Sequence, residues 1–176
     1  MSDTESKSIE GPLTKSEILS FFKKKMKNDK TPGPDGFTCE FFKFFWTDKS
    51  SFIARAINNS KELMQFSEPN KLAIITCIPK DGKPKQFLKN WRPISLLNVI
   101  YKIASGCIAE RIKKILDKLI SKDQTGFIKG RFIGENIRII YDVMNYTERN
   151  SIPGLLMLID FEKAFDSISW DFIYQY

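Results

Sequence analysis

The chain has no histidine and only 3 cysteines in 176 residues. Without His, a His-containing zinc site is impossible, and Cys39, Cys77 and Cys107 lack the close spacing of a zinc pair. Their odd number fits reduced thiols, not a disulfide framework. Long apolar runs are also missing: none approaches the ~20 residues that span a bilayer. Met1 to Lys7 is polar and has no apolar leader core. These gaps favour a cytoplasmic or nuclear setting with no membrane partner. Internal repeats and low-complexity tracts are absent as well.

What is present suits one folded domain of ordinary size. Hydrophobic residues make up 42% of the chain, and Phe occurs 15 times. The net charge of +7 favours a polyanionic partner, although a basic protein that is merely soluble has the same balance. The excess is local. From Lys80 to Arg131 there are 13 Lys and Arg against 4 Asp and Glu, so the remainder is slightly acidic. A concentrated basic block fits phosphate contacts better than a general solubility device.

Residues 1–12 read as a polar, frayed lead-in. Thr14-Lys15-Ser16-Glu17 has the form of a capping box, and Ile18, Phe22 and Met26 follow on one helical face. Lys23, Lys24, Lys25 and Lys27 crowd the end of that helix, where the dipole favours cations and a solvated end needs no further role. Thr31-Pro32-Gly33-Pro34-Asp35-Gly36 is a loop by composition. Phe37 to Trp46 begins another helix, and Phe41, Phe42, Phe44 and Phe45 read as core before they read as a base-stacking platform. Ser50 to Met64 carries a further helical pattern.

Leu72 to Ile78 is a short apolar strand, turned by the basic tip Pro79 to Lys85. Asn90 to Leu97 returns as its antiparallel partner. Ile100 to Leu119 keeps a 3.6-residue period that only Arg111 interrupts. Ser121 to Phe132 is a polar, basic loop, and Glu135 to Tyr146 resumes helical spacing. After Pro153-Gly154, the run Leu155 to Ile159 reads as a strand buried on both faces that ends in Asp160. A carboxylate at such a tip can take Mg²⁺ directly, or it can cap the strand end. Glu162 would share its side if the strand continued, and Phe165 is placed to floor a pocket.

Five segments occur in a telling order: Thr31–Gly36, Ile78–Gly82, Asn90–Asn98, Gln124–Arg131 and Asp160–Asp166. In this succession the chain resembles the reverse transcriptases of LINE-type non-LTR retrotransposons, from about Leu13 onward. The resemblance implies an α+β fold, a partial right-hand polymerase with helical fingers, a β-hairpin and the first catalytic palm strand. Residues 13–150 would be the N-terminal extension and fingers, and 151–176 the truncated start of the palm. It implies RNA-directed DNA polymerisation, with an RNA template, a DNA primer, deoxynucleoside triphosphates and Mg²⁺.

By the same resemblance, Asp160 is a catalytic metal ligand and the Phe161 carbonyl helps it. Phe165 is the gate against a ribose 2′-hydroxyl, and the Lys163 and Ala164 amides lie near the incoming triphosphate. Arg92 packs over the incoming nucleotide, and Lys80 binds its triphosphate. Gly126, Lys129 and Arg131 line the template path. Gly33, Asp35 and Gly36 belong to an extension that touches template RNA. The departure is the family's second catalytic strand with its adjacent Asp pair, which the sequence does not contain. Asp160 alone cannot supply the charge of a two-metal site. The expectation is a chain that does not polymerise alone; a non-catalytic RNA-binding module or a pseudogene remnant are the alternatives.

Overall fold

The computed structural model describes residues 6–7, 9–161 and 167–175. The chain divides into two compact units, residues 1–124 and 125–176.

The first unit is built on helices. Helix α1 (Lys15–Lys25) starts at the expected capping box: the Thr14 hydroxyl accepts from the Glu17 amide at 3.2 Å, and the Glu17 carboxylate accepts from the Thr14 amide at 2.9 Å. Helix α2 (Cys39–Phe44) is capped by Thr38, and Phe45 joins it to α3 (Trp46–Glu62). A single turn, α4 (Glu68–Lys71), precedes a two-stranded sheet. Strand β1 (Ala73–Pro79) pairs antiparallel with β2 (Trp91–Leu97), in register from Ala73 opposite Leu97 to Pro79 opposite Trp91. Helix α5 (Val99–Leu119) follows directly. Among the described residues, none of these helices is long and apolar enough to cross a membrane.

The core lies where α1, α3 and α5 meet. Ile18 and Phe22 of α1, Ile53 and Ile57 of α3, and Val99, Ile103, Ala104 and Cys107 of α5 are buried together with Leu13, Cys39 and Phe42. Side chains of this size each gain about 1.5–3 kcal/mol from burial, so the helical scaffold follows from their spacing. Of the Phe cluster, Phe42 is core. Phe44 is 81% exposed and Phe41 is 40% exposed, which corrects the expectation that all four are buried. A six-residue helix has one inward face, and Phe42 occupies it with Cys39. Burial pushes the Cys107 thiol up to about 11 and the Cys39 thiol upward, so both stay protonated.

Arg111 is buried on the apolar stripe of α5 instead of breaking it. Its Nε and Nη2 each donate to Glu17 at 2.8 Å, a two-pronged ion pair between α5 and α1. The remaining guanidinium protons reach the carbonyls of Glu10 and Gly11 at 2.9 Å and Pro12 at 2.8 Å, with Ile9 at 3.3 Å. The end of the polar lead-in is therefore held against α5, not frayed.

The second unit holds helix α6 (Gly134–Arg149) and the short helix α7 (Trp170–Gln175). The expected palm strand is not formed: residues 155–161 carry no strand and are exposed. An apolar run becomes a buried strand only beside a hydrogen-bonded neighbour and under a covering layer. Among the described residues nothing pairs with this run. Leu155 and Leu156 instead share an apolar hollow with Ile139, Ile140, Val143 and Met144 of α6.

Two outcomes follow for Arg111 and Glu17. Arg111→Ala should cost about 3–5 kcal/mol in urea unfolding, because it strands carbonyls and a carboxylate, and Arg111→Lys should restore only part of that. The hydrogen bonds from Arg111 hold the Glu17 carboxyl down from 4.5 to about 2, against the upward push of burial. The unfolded chain therefore binds this proton first on acidification. The stability from Glu17 is complete above pH 4.5 and is lost as pH falls toward about 2. Glu17→Gln should flatten that part of the pH–stability curve.

Candidate nucleic-acid interface

The hairpin loop between β1 and β2 is stapled to its own base. Asn90 Nδ2 donates to the Pro84 carbonyl and Trp91 Nε1 to the Lys85 carbonyl, both at 2.7 Å. The Lys80 amide donates to the Asn90 carbonyl at 2.7 Å, which carries the pairing one residue beyond β1. Arg92 stands opposite Ile78, two residues from Lys80, so Lys80 and Arg92 fall on the same face of the hairpin. Arg92 is exposed, and among the described residues it has no partner. Lys80 differs: its ammonium turns back to the Lys89 carbonyl at 2.9 Å. The loop presents Lys83, Lys85 and Lys89 to solvent against the single carboxylate of Asp81.

The Thr31–Gly36 segment is a turn seated on one buried side chain. The Gly36 amide donates to the Gly33 carbonyl at 3.1 Å, and the Asp35 carboxylate accepts from the Phe37 amide at 3.0 Å. Asn98, 1% exposed at the junction of β2 and α5, accepts from the Asp35 amide at 3.2 Å. Its Nδ2 donates to the Pro69 carbonyl at 2.9 Å and to Asn70 Oδ1 at 3.3 Å. A Cβ on Gly33 would lie 2.4 Å from the Asn98 backbone nitrogen, so only glycine fits against it. Asn98 thus joins the turn, α4 and the end of the hairpin. Sequence reasoning passed over it, although a polar residue inside Leu96-Leu97-Asn98-Val99-Ile100 was a signal.

Beside this turn lies an open aromatic groove lined by Phe37, Phe41, Phe45 and Phe52, with Phe42 and Ile53 behind them. The Phe37 and Phe41 rings are 4.6 Å apart, and those of Phe41 and Phe45 are 4.9 Å apart.

In the second unit, Gly126, Lys129 and Arg131 occupy a loop of turns before α6. The Arg131 amide donates to the Ile128 carbonyl at 3.2 Å, and Gly130 has φ +89°. Phe127 is fully exposed at φ +64°, a conformation bulky residues seldom adopt. Asp160 and Phe161 are exposed, and Lys163, Ala164 and Phe165 lie outside the described residues. No group of three or more His, Cys, Asp or Glu gathers among the described residues to hold a metal. The described residues around Asp160 therefore do not supply the converging carboxylates that a two-ion site needs.

The basic hairpin and the glycine turn of the first unit, and separately the basic loop of the second, each have the charge and close backbone that suit contact with phosphates. Residues 78–176 match the reverse transcriptase (RNA-dependent DNA polymerase) family, and the chain belongs to it. Its relatives are proteins of non-LTR retrotransposons, as the motif order implied. It is 32% identical to the transposon TX1 uncharacterized 149 kDa protein of Xenopus laevis, over 98% of this chain and 13% of that protein. It is 30% identical to the probable RNA-directed DNA polymerase from transposon X-element of Drosophila melanogaster, over 82% of this chain and 16% of the relative. With the Pol polyprotein of the type-1 retrotransposable element R1 of Bradysia coprophila it shares 26% identity, over 84% of this chain and 15% of that protein. The chain spans less than a fifth of the length of these relatives.

The turn gives a comparison of two glycines. Gly33→Ala should cost about 1–3 kcal/mol through overpacking against Asn98. Gly36→Ala meets nothing within 4 Å and should cost only about 1 kcal/mol for its φ of +73°. Urea midpoints of the two variants check the order.

Proposed function

We propose that this chain supplies the fingers and the first part of the palm of an RNA-directed DNA polymerase. The observation that carries this reading is the family match over residues 78–176, which begins at the basic hairpin. In this reading Arg92 packs over the incoming deoxynucleoside triphosphate. Lys80 leaves the Lys89 carbonyl to meet the triphosphate. Gly126, Lys129 and Arg131 border the template path, and Gly33, Asp35 and Gly36 form a fixed turn against template RNA. Cation placement of this kind offsets charge on a transferring phosphoryl group and requires no covalent step by the protein.

Asp160 is read as one of several metal-binding carboxylates, with the Phe161 carbonyl beside it. Lys163 and Ala164 border the triphosphate, and Phe165 is the gate against a 2′-hydroxyl. Mg²⁺, when bound by a complete carboxylate set, would stabilise the attacking and leaving oxygens. The 176 residues contain no adjacent Asp pair, so the complete set is not supplied by this chain. We propose RNA binding as the activity of these 176 residues by themselves, in keeping with their charge of +7 and the basic block at Lys80–Arg131. A cytoplasmic or nuclear setting belongs to the same reading.

The 176-residue chain, given RNA template, DNA primer, deoxynucleoside triphosphates and Mg²⁺, should extend no primer. Template-dependent incorporation that Asp160→Ala abolishes would overturn this. Fluorescence anisotropy with a labelled single-stranded RNA should detect binding at low salt, with log affinity falling linearly as log salt rises.

A further inference from the structure

A second basic surface lies in the first unit, lined by residues other than those of the hairpin tip. Phe21, Met26, Cys39 and Val99 floor an open groove, and Lys25, Lys27, Lys30 and Lys102 line it together with Thr31. These four lysines come from three separate segments: the end of α1, the stretch 26–30 and the first turn of α5. No carboxylate lines the groove. Lys25 lies 3.7 Å from Glu110, which Lys113 approaches more closely at 2.8 Å. Among the described residues, Lys27, Lys30 and Lys102 pair with no acid. Among these residues, three of the four groove lysines therefore lack an acidic partner, and only Lys25 shares one.

The wall bearing Lys27 and Lys30 is fixed from α2. The Lys43 ammonium donates to the Met26 carbonyl at 2.9 Å and to Asn28 Oδ1 at 2.6 Å. On the far side of Asn28, the Asp29 amide donates to the Glu40 carboxylate. The Glu40 carboxylate is thus engaged with the backbone at Asp29, and neither Asp29 nor Glu40 lines the groove. A segment held at both ends presents its two lysines at little entropic cost to a ligand.

The groove also has a direction. Thr31 lines it and opens the turn that ends at Gly36, and Val99 on its floor follows Asn98, on which that turn is seated. We propose that this groove binds the phosphodiester backbone of single-stranded RNA, continuing the strand past the Thr31–Gly36 turn. The inference rests on the RNA reading above and adds Lys25, Lys27, Lys30 and Lys102 as its phosphate contacts. An open channel with charges spread along it suits a chain of phosphates better than one small anion.

Anisotropy of a labelled single-stranded RNA, titrated across a salt series, tests this on the 176-residue chain. Lysine-to-Gln replacement at all four positions together should shrink the log–log salt slope by about 3, at ~0.7 per contacted phosphate. Lysine-to-Arg replacement at the same positions should keep it. A matched removal of charge at Lys49, Lys61, Lys71 and Lys113 should change it far less. In the unaltered chain, bound RNA should also protect the four groove lysines from acetylation, read by mass spectrometry, which needs no variant. An unchanged slope in the groove variant, an equal loss in the matched variant, or absent protection would overturn the groove while leaving RNA binding itself intact. Full displacement of RNA by inorganic phosphate at equal ionic strength would make it a small-anion site and overturn the proposal. No binding by the unaltered chain at low salt would remove the RNA reading and this inference together.

Discussion

The ion pair between Arg111 and Glu17 is the constraint from which the first unit is organised. A guanidinium has five donors in a rigid fork, and here Glu17 and the lead-in carbonyls engage it from two sides. Glu17 must lie in the first turn of α1 to reach it, and the same carboxylate closes the capping box. The start of α1 and its packing against α5 are thereby set by one side chain. Burying a charge is tolerable only with such saturation of its hydrogen bonds. The apolar contacts of Ile18, Phe22 and Ile103 supply the bulk of the attraction, and the ion pair selects the register in which they meet.

Asn98 plays the corresponding part at the other end of α5. It sits where the hairpin becomes a helix, and its one amide group satisfies both the glycine turn and α4. A polar residue of this kind has little freedom, because each bond it makes belongs to a different segment. The motifs Thr31–Gly36 and Asn90–Asn98 are far apart in sequence yet form one local structure. Their association explains why the glycine at 33 is required for contact and not for chain reversal alone.

Much of the helical framework was legible in the sequence. The capping box, the α5 period and the two strands of the hairpin could all be read from local patterns, because the energies that decide them are local. Arg111 was visible as an interruption but not as an anchor, since its partners lie about a hundred residues away. The Phe cluster was misjudged because composition does not say which face of a short helix turns inward. The run at 155–159 was read as a buried strand from apolarity alone, and a strand depends on a neighbour that periodicity within one segment cannot supply. The family was legible from motif order, while Asn98 and the groove lysines needed the tertiary structure to bring their segments together.

The bonds from Arg111 to the carbonyls of residues 9–12 carry one more consequence. The smallest piece of this chain able to fold stably does not begin at helix α1, where the first regular pattern starts. Trimming back to Leu13 would leave a buried cation with only the two Glu17 oxygens of its six acceptors, so a stretch that looks dispensable by composition sets the true edge of the folding unit.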